Sequence, residues 1–336
     1  MKKNKNGIVL IFVVLIIAFI SPWAASKVSN YMVYVLGITF LFMIWASGMN
    51  LTFGFTGMLP LMYAGLAGIG AYVSAFLVMK VGFSFWLALP ISGLVAAICG
   101  VMLGLPSLRL RGFYFALSSI VIQVALTLVF TQWRKFTGGD TGISNIPYPR
   151  ILVGVGNNFI IKDIYYVYMI LVILIAIILI INKILHSNLG MRFIAIREDE
   201  VLAETLGINV TRYKIISFLI SSFIAGFGGS LYAHYVSFAS PSMFNITASL
   251  NIWLLIMFGG RGSLIGPLIG TLFLTPTPYL LRQIYPLRDI IYGIVVVITA
   301  MFLPKGIFGG FSKLFTRKRR LEIDECAKVD GGNNAP

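Results

Sequence analysis

The chain has 336 residues, 58% of them hydrophobic and only 11% charged, where a soluble domain averages about 25% charged residues. Its mean hydropathy is +0.93, and its apolar runs of roughly 20 residues are continuous, which marks membrane-spanning helices and excludes an alternating barrel pattern. The net charge of +15 flanks the apolar runs and forms no basic stripe interleaved with aromatics, so it points to membrane topology and not to nucleic acid.

The apolar runs fall near residues 7–25, 29–51, 57–79, 84–106, 113–133, 163–182, 214–237, 247–259, 264–281 and 288–303. The predicted fold is all-α: a polytopic membrane protein of about 8–10 transmembrane helices with both termini cytoplasmic. The first run reads either as a span or as a cleaved signal peptide, because "MKKNKN" precedes it and "SPWAAS" follows it. Between 134 and 162 the "TGGDTGISNIPYP" stretch predicts an external loop of ordered turns. The run at 247–259 is short for a full crossing and is expected to be re-entrant or broken, joined to the next by "GGRGS". With the N-terminus inside, 18 Lys and Arg fall on the inner side and 8 on the outer, accounting for all 26, in agreement with the positive-inside rule. Merging the two runs around "GGRGS" would turn the basic tail outward, so two crossings or two half-crossings are expected there. Residues 1–311 then form the membrane domain, with a cytoplasmic loop at 183–213. Residues 312–336 form a basic, then acidic, cytoplasmic tail that frays.

None of the 11 acidic residues lies in the middle of an apolar run. Carriers driven by protons or sodium usually keep an ionisable relay within the membrane, so the pattern argues against an ion-driven carrier. No Walker A pattern is present, and "GGRGSLIGP" lacks its Lys-Ser/Thr ending. The chain is expected to bind no ATP or other cofactor itself, and any energy for transport must come from a partner. Two cysteines and two well-separated histidines give no disulfide framework and no metal site. No Ser-His pair or acid/base cluster sits at one membrane depth, so the chain is not expected to be an enzyme.

The polar stretch Ala195–Lys214, "AIREDEVLAETLGINVTRYK", stands between two apolar runs and carries four acids within seven residues. Asp199 can cap a helix starting at Glu200, and Gly207 can end it. That leaves about seven helical residues, too few to be stable in water without something to pack on. Leu202 and Leu206 share one face, and Glu200 and Glu204 another. The residues alone leave two readings open, a solvated amphipathic loop and a docking helix for a cytoplasmic subunit.

"LGMRFIAIREDEVLAETLGINVTRYKIISFLISSFIAGFGGSLYAHY", "LRLRGFYFALSS", "TGGDTGISNIP", "FGGRGSLIGPLIG" and "LPKGIFG" lie within about residues 40–310. In content, order and spacing these blocks resemble the branched-chain amino acid ABC transporter permeases, in particular the LivM type. The resemblance implies a multi-pass permease subunit of an importer in the bacterial inner membrane. It implies several partners besides lipid: two cytoplasmic ABC ATPase subunits that use the ATP, a second homologous permease, and an external solute-binding protein. It also implies that Arg197, Glu198, Asp199, Glu200, Ala203, Glu204, Leu206 and Gly207 belong to the coupling segment seated in an ATPase cleft.

Residues 48–72 are rich in glycine, which serves either tight packing or a broken helix lining a path. In that block the scaffold glycines Gly54, Gly57, Gly68 and Gly70 match the family. Met58, Pro60, Met62 and Tyr63 stand where members usually carry Gln, Ser, Gly and His, and Val124 and Thr127 lie near a Glu and an Arg of other members. The path is therefore expected to suit a hydrophobic side chain, or else a different solute such as urea or a short amide. Asn50, Thr56, Gly57, Gln123 and Asn251 are the candidate path residues, against the plainer reading of interhelical hydrogen bonds. A stand-alone facilitator for a small neutral solute is the remaining alternative.

Overall fold

The computed structural model describes residues 21–23, 26–27, 29–108, 110, 112–152, 158–160, 163–280 and 293. Most of the expected first and last spans, Arg109, Arg111 and the tail from 312 lie outside these residues.

Helix α1 (Asn30–Asn50) starts where Ser29 Oγ accepts the N–H of Tyr31 at 3.2 Å, and it runs on as a wider π turn over Leu51–Phe55. Helix α2 (Tyr63–Phe76) is likewise extended by a π turn to Val81 and closed by Gly82 at φ +79°. Then follow α3 (Phe85–Leu108), α4 (Phe113–Gln132), α5 (Asp163–Leu185), α6 (Asn188–Glu198) and α7 (Glu200–Thr205). The chain continues through α8 (Val210–Val236), α9 (Ile246–Gly259) and α10 (Gly266–Leu274). Short strands accompany the helices: β1 (Ile143–Ser144) pairs antiparallel with β4 (Phe238–Ala239), and β2 (Arg150–Leu152) with β3 (Asn158–Ile160). Among the described residues six helices, spanning 30–55, 63–81, 85–108, 113–132, 164–185 and 210–236, are long and apolar enough to cross a membrane.

The expected pair around "GGRGS" is two short helices lying side by side. A Cβ on Gly259 would sit 1.8 Å from the Gly266 carbonyl oxygen, and one on Gly270 would sit 2.1 Å from that of Leu255. The turn at Gly260–Ile265 therefore reverses the chain, and the two runs do not merge into one span.

Helix α8 is the centre of the bundle and packs on α1, α2 and α3. In a membrane, helices gain little from hiding apolar surface from one another, so close packing must supply the attraction. The "SSFIAGFGGS" stretch of α8 provides it. A Cβ on Gly229 would lie 1.9 Å from the Ala67 carbonyl oxygen, and one on Gly70 would lie 2.1 Å from that of Gly226. Helices α2 and α8 thus meet backbone to backbone. Bulky side chains fill the space on either side: Tyr72, Phe130, Phe218 and Phe244 on one flank, and Phe40, Ile44, Tyr166 and Leu231 on the other. By contrast, Tyr114 and Val121 of α4 and Val172 and Leu179 of α5 are exposed, leaving these helices facing lipid or another subunit.

Polar contacts sort the loops to two ends of the bundle. At one end, the loop that follows α4, over residues 134–149, packs on the end of α8. There the fully buried His234 holds Pro147. A carbonyl can only accept, so His234 Nδ1 carries the proton and donates to Pro147 O at 2.7 Å, leaving Nε2 to accept from Ser74 Oγ at 3.0 Å; Ser230 Oγ donates to Ser74 Oγ at 2.7 Å. Every member of this chain has a partner, as buried polar groups require. At the other end the helix break after α1, the α6–α7 segment and the Gly260–Gly262 turn meet. Arg192 and Arg197 of α6 and Arg261 of the turn lie at this end, with Arg212 and Lys214 at the start of α8.

His234→Ala would leave the Pro147 carbonyl without its donor, a change of about 1–3 kcal/mol for a buried group. Amide exchange across Gly142–Ile146 should then quicken by about tenfold or more while α2 and α8 keep their protection. Unchanged loop exchange would show that the histidine is not the tether.

Candidate functional site

The break between α1 and α2 is the first part of the site. The chain leaves the helix at Thr56, passes Gly57 at φ +85° and re-enters helix at Tyr63. The first N–H groups of a helix have no partner within it, and hydrocarbon offers none. Here three other helical side chains supply acceptors. The N–H of Leu61 donates to Ser119 Oγ at 3.0 Å, that of Ala64 to Ser249 Oγ at 2.9 Å, and that of Gly65 to Gln123 Oε1 at 2.8 Å. Gln123 then uses its other end: Nε2 donates to the Phe244 carbonyl at 2.7 Å. Phe244 closes the turn Pro241–Phe244, a segment that returns from β4 to pack on α2 and α4. One fully buried carboxamide therefore clips a helix start to a returning loop.

The closing end of α1 is equally provided for. Thr56 Oγ1 donates to Leu51 O at 3.0 Å and lies 2.8 Å from Ser217 Oγ. Asn50 Nδ2 donates to Ser263 O at 2.9 Å, and Asn50 Oδ1 accepts the N–H of Gly262 at 3.2 Å. Met58, Met62 and Tyr63, which stand where members of the resembled family usually carry Gln, Gly and His, are buried in the apolar core around the break.

The second part is the polar segment. Ser187 Oγ caps α6 by accepting the N–H of Leu189. Asp199 is extended, and its Oδ1 accepts the N–H groups of Val201 at 2.9 Å and Leu202 at 3.0 Å. Helix α7 is six residues long, one shorter than expected. It ends in a Schellman motif, with the N–H of Gly207 on Glu204 O and that of Ile208 on Ala203 O, both at 3.0 Å. Gly207 stands at φ +81° with nothing within 4 Å of a would-be Cβ, so the backbone conformation alone calls for glycine there. Two contacts seat α7 on the chain. Ala203 is buried against Ile196 and Val210, and Glu200 pairs with the enclosed Lys214 at 2.5 Å. Arg192 lies over the Tyr213 ring, 4.9 Å from its centroid, and fixes α6 on α8. What remains outward is apolar: Val201 at 55%, Leu202 at 57% and Leu206 at 72% exposure, beside exposed Glu198 and Glu204.

The predicted residues thus fall into two groups, joined at Arg197. Its Nη1 donates to the Gly54 carbonyl at 2.9 Å, and its side chain also pairs with Glu198. Gly57 packs on the Arg197 stem. Asn251 is half-buried on α9, two residues from Ser249 and so on a different face from it. Sequence reasoning missed Ser119, Ser217, Ser221, Ser249 and the Phe244 carbonyl. Ser217 and Ser221 had a signal, since they stand four apart on the glycine-rich span; Ser221 Oγ donates to Gly48 O at 2.8 Å. Among the described residues no group of three or more His, Cys, Asp or Glu is placed to hold a metal.

The family described as "Branched-chain amino acid transport system / permease component" matches residues 31–300. The chain is 32% identical over 313 residues to the high-affinity branched-chain amino acid transport system permease protein LivM of Salmonella typhimurium, covering 87% of this chain and 73% of that one. It is 24% identical to LivH of the same organism, over 79% of this chain and 90% of LivH. It is 22% identical to the ribose import permease protein RbsC of Haemophilus influenzae, over 81% and 83%. No solved structure matches. The six long apolar helices, the interrupted helix with its borrowed acceptors and a match over most of the chain agree, and this multi-pass membrane protein belongs to the permease-component family of branched-chain amino acid transport systems.

Proposed function

We propose that this chain forms the translocation path of an ABC importer for branched-chain or related hydrophobic amino acids. Two cytoplasmic ATPase subunits drive it, together with a second permease and an external solute-binding protein. The observation that carries this reading is α7. A six-residue helix is too short to persist in water by itself, yet this one is capped at both ends and held to α8 by Glu200 and Lys214. It turns Val201, Leu202 and Leu206 outward at the end of the bundle that carries Arg192, Arg197, Arg212, Lys214 and Arg261, the end that the positive-inside rule puts in the cytoplasm. A rigid, apolar-faced knob on an aqueous surface fits a groove in another protein. The similarity to LivM makes an ATPase the fitting partner.

Transport then follows from alternating access. ATP-driven closure of the ATPase pair shifts α7 and the elements joined to it, the path opens toward the loaded binding protein, and hydrolysis resets it. This chain supplies a two-state element and no chemistry. The path runs beside the break, past Asn50, Thr56, Gly57, Gln123 and Asn251. Gln123 has a specific part in this reading. Its carbonyl oxygen sits on the Gly65 N–H as a carboxylate would, and its NH2 group sits on the Phe244 carbonyl as an ammonium would. The two backbone groups are thus placed to receive the headgroup of an amino acid in passing, while the apolar residues at 58, 62 and 63 suit a hydrophobic side chain.

Leu202→Asp and Leu206→Asp, at exposed positions, should leave the permease folded and cut co-purification of the ATPase subunits and binding-protein-dependent leucine uptake by roughly tenfold or more. Wild-type co-purification in both variants would remove the docking role of α7. Gln123→Leu strips partners from two buried backbone groups, a change of about 1–3 kcal/mol. Leucine uptake in that variant should fall with unchanged affinity of the binding protein for leucine, and unaltered uptake would remove Gln123 from the path. Leucine flux through the chain alone in liposomes would favour a facilitator instead.

A further inference from the structure

The structure joins the docking segment to the helix break through one side chain. Arg197 is the tenth residue of the 11-residue helix α6, two positions before Asp199 caps α7. A residue serving only the partner surface would project outward. Arg197 instead sends Nη1 inward to the Gly54 carbonyl, 2.9 Å away.

The identity of that acceptor is informative. Gly54 lies in the last turn of α1 before the break, where the carbonyls lose their partners one helical turn on. The N–H of Met58, a natural donor for it had the helix continued, goes instead to Thr52 O at 3.0 Å. A helix C-terminus also carries partial negative charge, which favours a cation. Arg197 therefore caps the cut end of α1 by hydrogen bond and by charge.

Two segments close on the Arg197 side chain, and each approaches through glycine. A Cβ on Gly57 would lie 3.3 Å from Arg197 Cγ. One on Gly262 would lie 2.6 Å from Arg197 Nη1 and 3.0 Å from Gly54 O, and one on Gly54 would lie 2.5 Å from Gly262 N. Asn50 bridges the same turn from α1 through Gly262 and Ser263. The cut end of α1, the end of α6 and the α9–α10 turn are thus packed around Arg197 with no room for a side chain between them.

We propose that Arg197 is the positioning residue that transmits motion of the docking helix to the inner end of the path, by holding the Gly54 carbonyl and the Gly260–Gly262 turn to α6. The proposal rests on the docking reading of α7 given above and adds the link by which docking reaches the path. Without that link, α7 would still engage its partner, and its displacement would no longer carry the cut end of α1 with it.

The test uses the complete importer in proteoliposomes with its ATPase subunits and binding protein. Arg197→Met keeps a stem of similar length over Gly57 and removes the charge and the donors. Arg197→Lys keeps the charge and one donor for a single carbonyl. Leucine taken up per ATP hydrolysed is measured beside ATPase co-purification. The expected result is a fall of about tenfold or more in leucine per ATP for Arg197→Met with the ATPase subunits still bound, and at least partial recovery in Arg197→Lys, the pattern of a severed coupling and not of lost docking. Leucine per ATP within about twofold of wild type in Arg197→Met would overturn the proposal. So would loss of ATPase co-purification in that variant, which would make Arg197 part of the docking surface itself. Should Arg197→Met not reach the membrane folded, Arg197→Lys decides: a ratio as low as that of an importer lacking its binding protein overturns the proposal, and a ratio within about fivefold of wild type upholds it. Failure of the docking reading is separately visible as wild-type permease that does not retain its ATPase subunits.

Discussion

A helix can be interrupted inside a membrane only if other groups take over the hydrogen bonds it gives up. That constraint organises this bundle. The break at Thr56–Met62 releases N–H groups on one side and carbonyls on the other, and side chains from α4, α6, α8 and α9 arrive to meet them. The bundle cannot shift one of these helices without loosening a backbone group at the break. An interruption so fully provided for is a place where several helices are made to act together, and Gln123 and Arg197 stand at its two sides.

The close approach of α2 and α8 sets the rest of the geometry. Backbone contact at Gly70–Gly226 and Gly229–Ala67 makes this pair stiff, since nothing deformable lies between them. The α7 segment runs directly into α8 through Asn209, whose Oδ1 caps α8 by accepting the N–H of Arg212. Force applied at α7 therefore has two outlets. One follows α8 into the stiff core. The other passes through Arg197 into the cut end of α1 and the α9–α10 turn, where the helical hydrogen-bond ladder is interrupted.

The sequence displayed the parts of this protein that depend on composition and on local rules. Apolar runs located the six long helices, because hydrophobic length is a property of the run itself, but the run at 57–79 took in the break that precedes the start of α2 at Tyr63. Asp199 and Gly207 announced both ends of α7, because capping is a matter of neighbours in sequence. The glycines of 48–72 left tight packing and an interruption both open. What stayed hidden were pairings between distant residues. Nothing near Ser119 or Ser249 shows that each would accept an N–H from the start of α2, since serine on a transmembrane helix can equally bond its own preceding turn, as Ser222 does with Phe218 O at 2.7 Å. Arg197 was visible as a member of the polar segment, and its inward direction was not, because that depends on where the cut end of α1 arrives.

The candidate path residues differ in what they hold within the bundle. Asn50, Thr56 and Gln123 are all buried and hydrogen-bonded within the bundle, which is the ordinary condition of a polar side chain there. Thr56 and Asn50 bind groups at the end of the bundle that carries α7, where their loss would chiefly loosen the α1 terminus and the Gly262 turn. Gln123 alone of the three holds an N–H donor and a carbonyl acceptor from two different interruptions of the chain, the start of α2 and the loop ending at Phe244. A zwitterion needs such a pair, with opposite polarity and both groups freed from secondary structure. The apolar wall supplied by Met58, Met62 and Tyr63 does not compete for the headgroup, so recognition by the path would be of backbone type and indifferent to the branching of the side chain. Discrimination among hydrophobic amino acids would then have to be made before the solute reaches the membrane.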